Sequence, residues 1–116
     1  MSDFVYRILT QEQWAEMQRT GILPLSPIDV RDGYIHLSLL EQINGTANRY
    51  FQEFDALVVV SFAVEVFGQQ LKLEGVASRD GQKFPHFYGE IVPFGWISTI
   101  YCMANVNGIF GPLQPF

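Results

Sequence analysis

Residues 57–64 read Leu-Val-Val-Val-Ser-Phe-Ala-Val, a nearly continuous apolar run that is rich in valine. β-Branched side chains favour extended backbone because they fit the pleated surface of a sheet. An alternating pattern would indicate one exposed face, whereas an almost unbroken apolar run is typical of a strand buried on both faces. We therefore predict a buried strand over Leu57–Val64.

A strand and a helix are predicted at the start of the chain. Phe4–Leu9 is rich in β-forming residues and predicts a strand. Thr10 follows, with Gln13 three positions later, and this capping-box pattern predicts a helix over residues 11–19. Trp14 would lie on its inner face.

A second helix is predicted over residues 38–51, where apolar residues recur at helical spacing. Ser38 would cap its first turn. Gly45 has low helix propensity, so the pattern allows a break beside it. Between the two helices, Pro24 and Pro27 predict a loop.

Mostly strands follow the second helix. Alternating residues predict a strand over 71–76, residues 84–88 predict a loop or a short strand, and 96–103 predict a late strand. Early helices and late strands indicate an α+β fold, with two N-terminal helices on a mixed or split β-sheet. The length of 116 residues predicts a single domain over 1–116, with an irregular Gly/Pro-rich tail over 104–116.

Composition narrows the classes of function. The net charge is −5, which opposes bulk nucleic-acid binding because such binding relies on Lys and Arg at the phosphates. No apolar stretch is long enough to span a bilayer, so no membrane partner is expected. With no visible signal peptide and with Cys102 as the single cysteine, the chain is predicted to be cytoplasmic.

Residues 34–37 predict a second short strand, and His36 and Ser38 lie two residues apart at its end, so their side chains share a face. That face leads into a helix N-terminus, where free N–H groups attract anions. A phosphate could rest at Ser38 with His36 beside it. The alternative is that Ser38 only caps the helix and that His36 is a half-buried, hydrogen-bonded residue.

Asn48 and Arg49 lie near the end of the second helix. Arg49 could clamp a phosphate in bidentate fashion, although an arginine in a last turn often only complements the helix dipole. Arg79 and Lys83 are interpreted as solvated charges.

His86 follows Pro85 and precedes Tyr88-Gly89, which holds it on a stiffened segment between aromatic residues. It could belong to a pocket with Tyr88, or it could be a satisfied histidine in an aromatic cluster. Two histidines without a clear third ligand do not make a zinc site, so no metal site is predicted. Cys102 lies in an apolar strand and is interpreted as a core thiol.

Several segments together resemble one bacterial family, domain-of-unknown-function family 952. They are Arg7 within Val-Tyr-Arg-Ile, the segment DGYIHLS at 32–38, the helix end at 47–51, the strand start at 57–60 and FPHFYG at 84–89. They occur in the expected order and cover most of the chain, through about residue 91. The two histidine-bearing segments are the more specific part of the match.

That family is more distantly similar to the ADP-ribosyltransferase-like fold, including its tRNA 2′-phosphotransferase branch. The segment 33–38, followed by Ala47 and Tyr50, looks like the strand-and-helix unit of that fold. Arg7 and His86 match the places of its first-strand basic residue and late-strand polar residue. The resemblance implies a split pair of small sheets with a dinucleotide cleft, NAD as a candidate substrate, and no obligatory cofactor.

The first hypothesis is therefore a transferase acting on ADP-ribose or a 2′-phosphate, with a small-molecule nucleotide as partner. His36 would orient a ribose hydroxyl or act as acid or base, and Arg7 would hold phosphate together with Arg49. The candidate residues divide into two groups, which are His36, His86 and Arg7 as catalytic and Ser38, Asn48, Arg49 and Tyr88 as ligand-binding.

Two alternatives stay open. One is a binding module that has the same cleft and no turnover. The other is a small interaction protein, in which the two histidines lie far apart and Trp96, Phe110 and Phe116 form an exposed apolar patch.

Overall fold

The strands of the protein form two antiparallel sheets in a computed structural model that describes residues 2–116. The strands are β1 (Phe4–Leu9), β2 (Ile35–His36), β3 (Ala56–Ala63), β4 (Leu71–Gly75), β5 (Lys83–Phe87), β6 (Ile97–Val106), β7 (Ile109–Phe110) and β8 (Gln114–Pro115). The larger sheet has the order β1-β3-β6-β7 with β8 also on β6, and the smaller has the order β2-β5-β4. The α+β class and the split sheet are confirmed, whereas the prediction of mixed strand directions is wrong for the strands described.

Strand β3 is buried on both faces, as its apolar run predicted. Val58 and Val60 belong to a core cluster on one face, while Leu57 and Val59 belong to a second cluster on the other. Alternate residues of a strand point to opposite faces, so the chain builds a core on each side of the larger sheet.

Helix α1 (Gln11–Thr20) begins and ends as predicted. The Thr10 side chain accepts a hydrogen bond from the Gln13 N–H, and the Gln13 side chain accepts one from the Thr10 N–H. Gly21 ends the helix with a φ of 81°, a left-handed conformation that glycine adopts without strain. Trp14 faces the core.

The segment predicted as a loop between the two helices contains a helix of its own, α2 (Pro27–Asp32). Ser26 and Asp29 form a second capping box around Pro27, and proline is well suited to a first helical position. Gly33 ends this helix at a φ of 80°. The prediction of two N-terminal helices is corrected to three, because Pro27 starts a helix here instead of preventing one.

The next helix begins later than predicted. Residues 40–42 form a 3-10 turn, and α3 spans Ile43–Tyr50. Ser38 does not cap it, because the Ser38 N–H and C=O both pair with the backbone of Tyr6 at 2.8 Å. Gly45 lies within α3 without a break, and a Cβ there would be 3.3 Å from the Arg79 guanidinium.

The C-terminal segment is more regular than predicted, because β7 and β8 both pair with β6. Cys102 is partly exposed rather than a core residue. Its sulfur lies 3.6 Å from the Pro115 carbonyl oxygen on β8. Within residues 2–116, no helix is both long and apolar enough to cross a membrane.

Candidate functional site

The candidate site is a pocket of about 470 Å³. Its walls come from β1, α2, β2, α3 and the segment 76–86. The side chains that line it include Tyr34, Tyr50, Phe51 and Phe84, together with both histidines. A pocket of this size is typical of small-molecule sites, which are mostly apolar with a few placed polar groups.

A buried ion pair underlies one wall. Arg7 Nη2 lies 2.7 Å from Asp29 Oδ2 and Arg7 Nη1 lies 3.1 Å from Asp29 Oδ1, a bidentate geometry. Only 6% of Arg7 and 3% of Asp29 is exposed. Burial alone would raise the pKa of Asp29, but hydrogen bonds from His36 and Arg7 hold that pKa far below its usual range. Asp29 is therefore a carboxylate inside the protein.

Two carboxylates hold the ring of His36. Its Nδ1 lies 2.7 Å from Asp29 Oδ1, and its Nε2 lies 2.9 Å from Asp32 Oδ2. Carboxylates only accept hydrogen bonds, so this geometry fits the imidazolium, in which both ring nitrogens donate. Asp29 and Asp32 are three residues apart on α2, which brings both to the same side of that helix.

His86 lies directly opposite His36 in the β2–β5 pairing, and the two ring centroids are 5.6 Å apart. Its Nδ1 lies 2.9 Å from Glu74 Oε1, and its ring stacks on Tyr34 with centroids 4.1 Å apart. Burial lowers the pKa of His86, against the opposing effect of Glu74. Its Nε2 is buried and has no hydrogen-bond partner among the described residues.

Glu74 also binds Tyr88. The Tyr88 hydroxyl donates to Glu74 Oε1 at 2.5 Å, and this hydrogen bond raises the pKa of Tyr88 to about 12. The Tyr88 ring packs against Tyr34 at 5.3 Å between centroids. Tyr88 is not a lining residue of the pocket, and its position is that of a support for Glu74 and Tyr34.

One of the three arginines that line the pocket is not paired with a carboxylate of the described residues. Arg79 donates to Thr46 Oγ1 at 3.1 Å and places its guanidinium 4.8 Å from the centre of the Phe84 ring. No carboxylate of the described residues lies within 4 Å of its nitrogens. Arg31 also lines the pocket, but it is paired with Asp32 at 2.8 Å.

The structure brings together some of the predicted site residues and not others. The lining includes Arg7, His36, Ser38 and His86. Asn48 and Arg49 lie outside it. The Asn48 side chain accepts from the Phe110 N–H at 2.8 Å, and the exposed Arg49 side chain donates to the Ser78 carbonyl and the Tyr50 hydroxyl.

The sequence did not reveal the acidic partners of the histidines, nor the pocket arginine that has no carboxylate partner among the described residues. Asp29 and Asp32 belong to a segment interpreted as a loop, and the capping box at Ser26 was the signal that could have placed them on a helix. Arg79 was interpreted as solvated, and no sequence signal marks its approach to α3. Glu74 reaches His86 because β4 pairs with β5 in a register that places Glu74 opposite Phe84, and this register is not evident from the sequence. Among residues 2–116, no group of three or more His, Cys, Asp or Glu side chains is arranged to hold a metal ion.

Comparisons with known proteins agree with the motif-based prediction of family. A family model described as a protein of unknown function (DUF952) matches residues 8–98. The crystal structure of protein CC0527 from Caulobacter crescentus is similar with a TM-score of 0.82 and 29% sequence identity, over 93% of each chain. The solution structure of CC0527 gives a TM-score of 0.77 at 29% identity, over 92% of this chain and 90% of that one. No curated protein matches.

Proposed function

We propose that this chain, which belongs to the DUF952 family of proteins of unknown function, binds a phosphate-bearing nucleotide of the ADP-ribose or NAD class in the pocket. One observation carries the proposal: an arginine with no carboxylate partner among residues 2–116 lines an aromatic pocket of an acidic protein. The similarity to the ADP-ribosyltransferase-like fold and transferase chemistry remain predictions within this proposal.

The charge pattern favours an anionic group on the ligand. Arg79 is held against Phe84 and Thr46, so its guanidinium is ordered before any ligand arrives. A preorganised guanidinium binds phosphate oxygens through two parallel hydrogen bonds. Arg7 has a different role from the phosphate contact predicted for it, because both of its terminal nitrogens already bind Asp29. We assign Arg7 to positioning α2 and His36.

The aromatic lining favours a ring system on the same ligand. Tyr34, Tyr50, Phe51 and Phe84 offer π-faces in a pocket large enough for a nucleotide. Stacking of bases on aromatic side chains is worth about 1–3 kcal/mol per base. A phosphate contact at one point and a stacked base at another would together give the ligand its orientation.

The interaction-protein alternative is less well supported. It predicted that the histidines lie far apart, yet their rings are 5.6 Å apart. It also predicted Phe110 in an exposed patch, yet Phe110 is 2% exposed. A binding module without turnover uses the same pocket and is separated from an enzyme only by assaying the bound ligand for conversion.

The test compares ADP-ribose, ADP and adenosine by isothermal titration calorimetry. We expect ADP-ribose and ADP to bind at least tenfold more tightly than adenosine, because adenosine lacks the group that Arg79 would hold. Arg79→Met preserves the aliphatic stem and should remove that preference. Arg19→Met is the matched control, since Arg19 carries the same charge on the exposed face of α1, beside Glu16. The proposal fails if no phosphate-bearing compound binds at millimolar concentration, or if both variants bind ADP like the wild type.

A further inference from the structure

We propose that His86 Nε2 accepts a hydrogen bond from a sugar hydroxyl of the ligand, so that the pocket selects ribose nucleotides with free hydroxyls over their deoxy counterparts. This inference rests on the proposed function and specifies which part of the nucleotide the histidine recognises. It follows from three observations: the tautomer of His86, its unpartnered nitrogen, and a second buried side-chain atom of the pocket lining, a donor, that has no partner among the described residues.

Glu74 sets the tautomer of His86. Glu74 Oε1 lies 2.9 Å from His86 Nδ1 and accepts from the Tyr88 hydroxyl at 2.5 Å. A carboxylate oxygen only accepts, so Nδ1 carries the proton and donates it. In the neutral ring, Nε2 then holds a lone pair. Burial favours this neutral form because it lowers the pKa of His86.

His86 Nε2 is a buried polar atom that has no hydrogen-bond partner among the described residues. His86 is 2% exposed and lines the pocket, yet no described residue hydrogen-bonds to this nitrogen. Buried polar atoms of native proteins are nearly always hydrogen-bonded, so an unpartnered one on a pocket lining needs an explanation, and we take it as a contact for a ligand. The missing partner must be a donor. Phosphate oxygens of a nucleotide only accept, which leaves the sugar hydroxyls and the base amine.

Arg7 favours the hydroxyl over the amine. Arg7 Nε is the other buried side-chain atom without a partner among the described residues, and Arg7 also lines the pocket. It is a donor, so the two unpartnered atoms of the wall are one donor and one acceptor. A pair of ribose hydroxyls can donate to one and accept from the other, whereas an aromatic amine only donates.

The experiment uses AMP and 2′,3′-dideoxy-AMP, which share base and phosphate and differ only in the two sugar hydroxyls. We expect the wild-type protein to bind AMP about 10- to 100-fold more tightly, as a site with an unsatisfied buried acceptor should. His86→Phe retains an aromatic ring against Tyr34 and removes the acceptor while it leaves the Arg7 donor in place, so its affinity ratio should fall at least several-fold. Tyr88→Phe is the control, because it leaves Glu74 bonded to His86 Nδ1 and should keep the preference.

The outcomes separate this inference from the proposed function. Equal binding of AMP and dideoxy-AMP to the wild-type protein would overturn the hydroxyl contact and leave nucleotide binding in place. Absence of binding by either compound would overturn both. If His86→Phe does not fold, the wild-type ratio still decides, together with the ¹⁵N shift of His86 Nε2, which should move on addition of AMP and stay unchanged with dideoxy-AMP.

Discussion

Replacing Asp29 by Asn should destabilise the protein by about 3–5 kcal/mol, the usual cost of leaving one partner of a buried ion pair uncompensated. Asp29 accepts five hydrogen bonds, from Arg7 Nη1 and Nη2, from His36 N and Nδ1, and from Ser26 N. An amide has one acceptor oxygen, so at least two of these donors would face an NH₂ group. Each hydrogen bond to a charged group contributes about 1.5–3 kcal/mol, so the loss of two such bonds gives a cost that overlaps the range expected for the ion pair.

Urea unfolding followed by circular dichroism at pH 7 measures this loss. Asp55→Asn is the matched control, since the exposed Asp55 side chain makes no hydrogen bond or ion pair with any of residues 2–116. It should change the free energy of unfolding by less than about 0.5 kcal/mol. A loss below about 1 kcal/mol for Asp29→Asn would refute the idea that this ion pair organises the wall of the pocket.

The same variant predicts a dependence on pH with a definite sign. The pKa of Asp29 is lower in the folded protein than in the unfolded chain, so the unfolded chain takes up protons first as the pH falls. The contribution of Asp29 is therefore fully present above about pH 5, since an unfolded aspartate titrates near pH 4, and it is lost progressively at lower pH. The stability gap between wild type and Asp29→Asn should be narrower below pH 4 than at pH 7. A gap of the same size at pH 3 and pH 7 would contradict the assignment.

Two further predictions concern the pocket. Gly45→Ala should lower the affinity for ADP several-fold, because its Cβ would lie 3.3 Å from the Arg79 guanidinium and displace it. Thermal stability should stay at or above the wild-type value, because alanine has the better helix propensity. Unchanged ADP affinity, measured by calorimetry, would argue against an ordered Arg79. The folded-state pKa of His86 is depressed, so wild-type stability should fall as the pH drops below about 6.5, the value for unfolded histidine, and His86→Phe should lack this component. Parallel stability curves for the two proteins between pH 5.5 and 7.5 would count against a buried neutral His86.

Elements with local signals were predictable. The valine-rich run of β3 and the capping box of α1 each operate within a few residues, so their outcome hardly depends on the rest of the chain. The start of α3 was not predictable in this way. Ser38 has the chemistry of a cap, but a backbone pairing with Tyr6, distant in sequence, uses its N–H and C=O.

The candidate site also combines residues that a local sequence signal indicates with residues that only distant contacts bring into place. Both histidines stand out in the sequence because they are the only two, and each lies in a distinctive segment. Sequence alone gave no means to tell which arginine would reach the pocket. Arg49 is near the predicted helix end, yet its side chain is exposed. Arg79 comes from a segment distant in sequence, and its guanidinium packs beside Gly45 of α3.

The sequence on its own determined the buried strand β3, the first strand and the first helix, and which residue types were available for chemistry, because propensity, capping and apolar periodicity are local properties. Only the tertiary structure decided that His36 and His86 face each other, that Asp29 and Glu74 are their carboxylate partners, and that Arg79 lines the pocket without a carboxylate partner among residues 2–116. These relations depend on strand register and on charged residues that are far apart in the chain. Burial then strengthens the electrostatic interactions between those residues. Distances between such groups are set by packing, which no local pattern records.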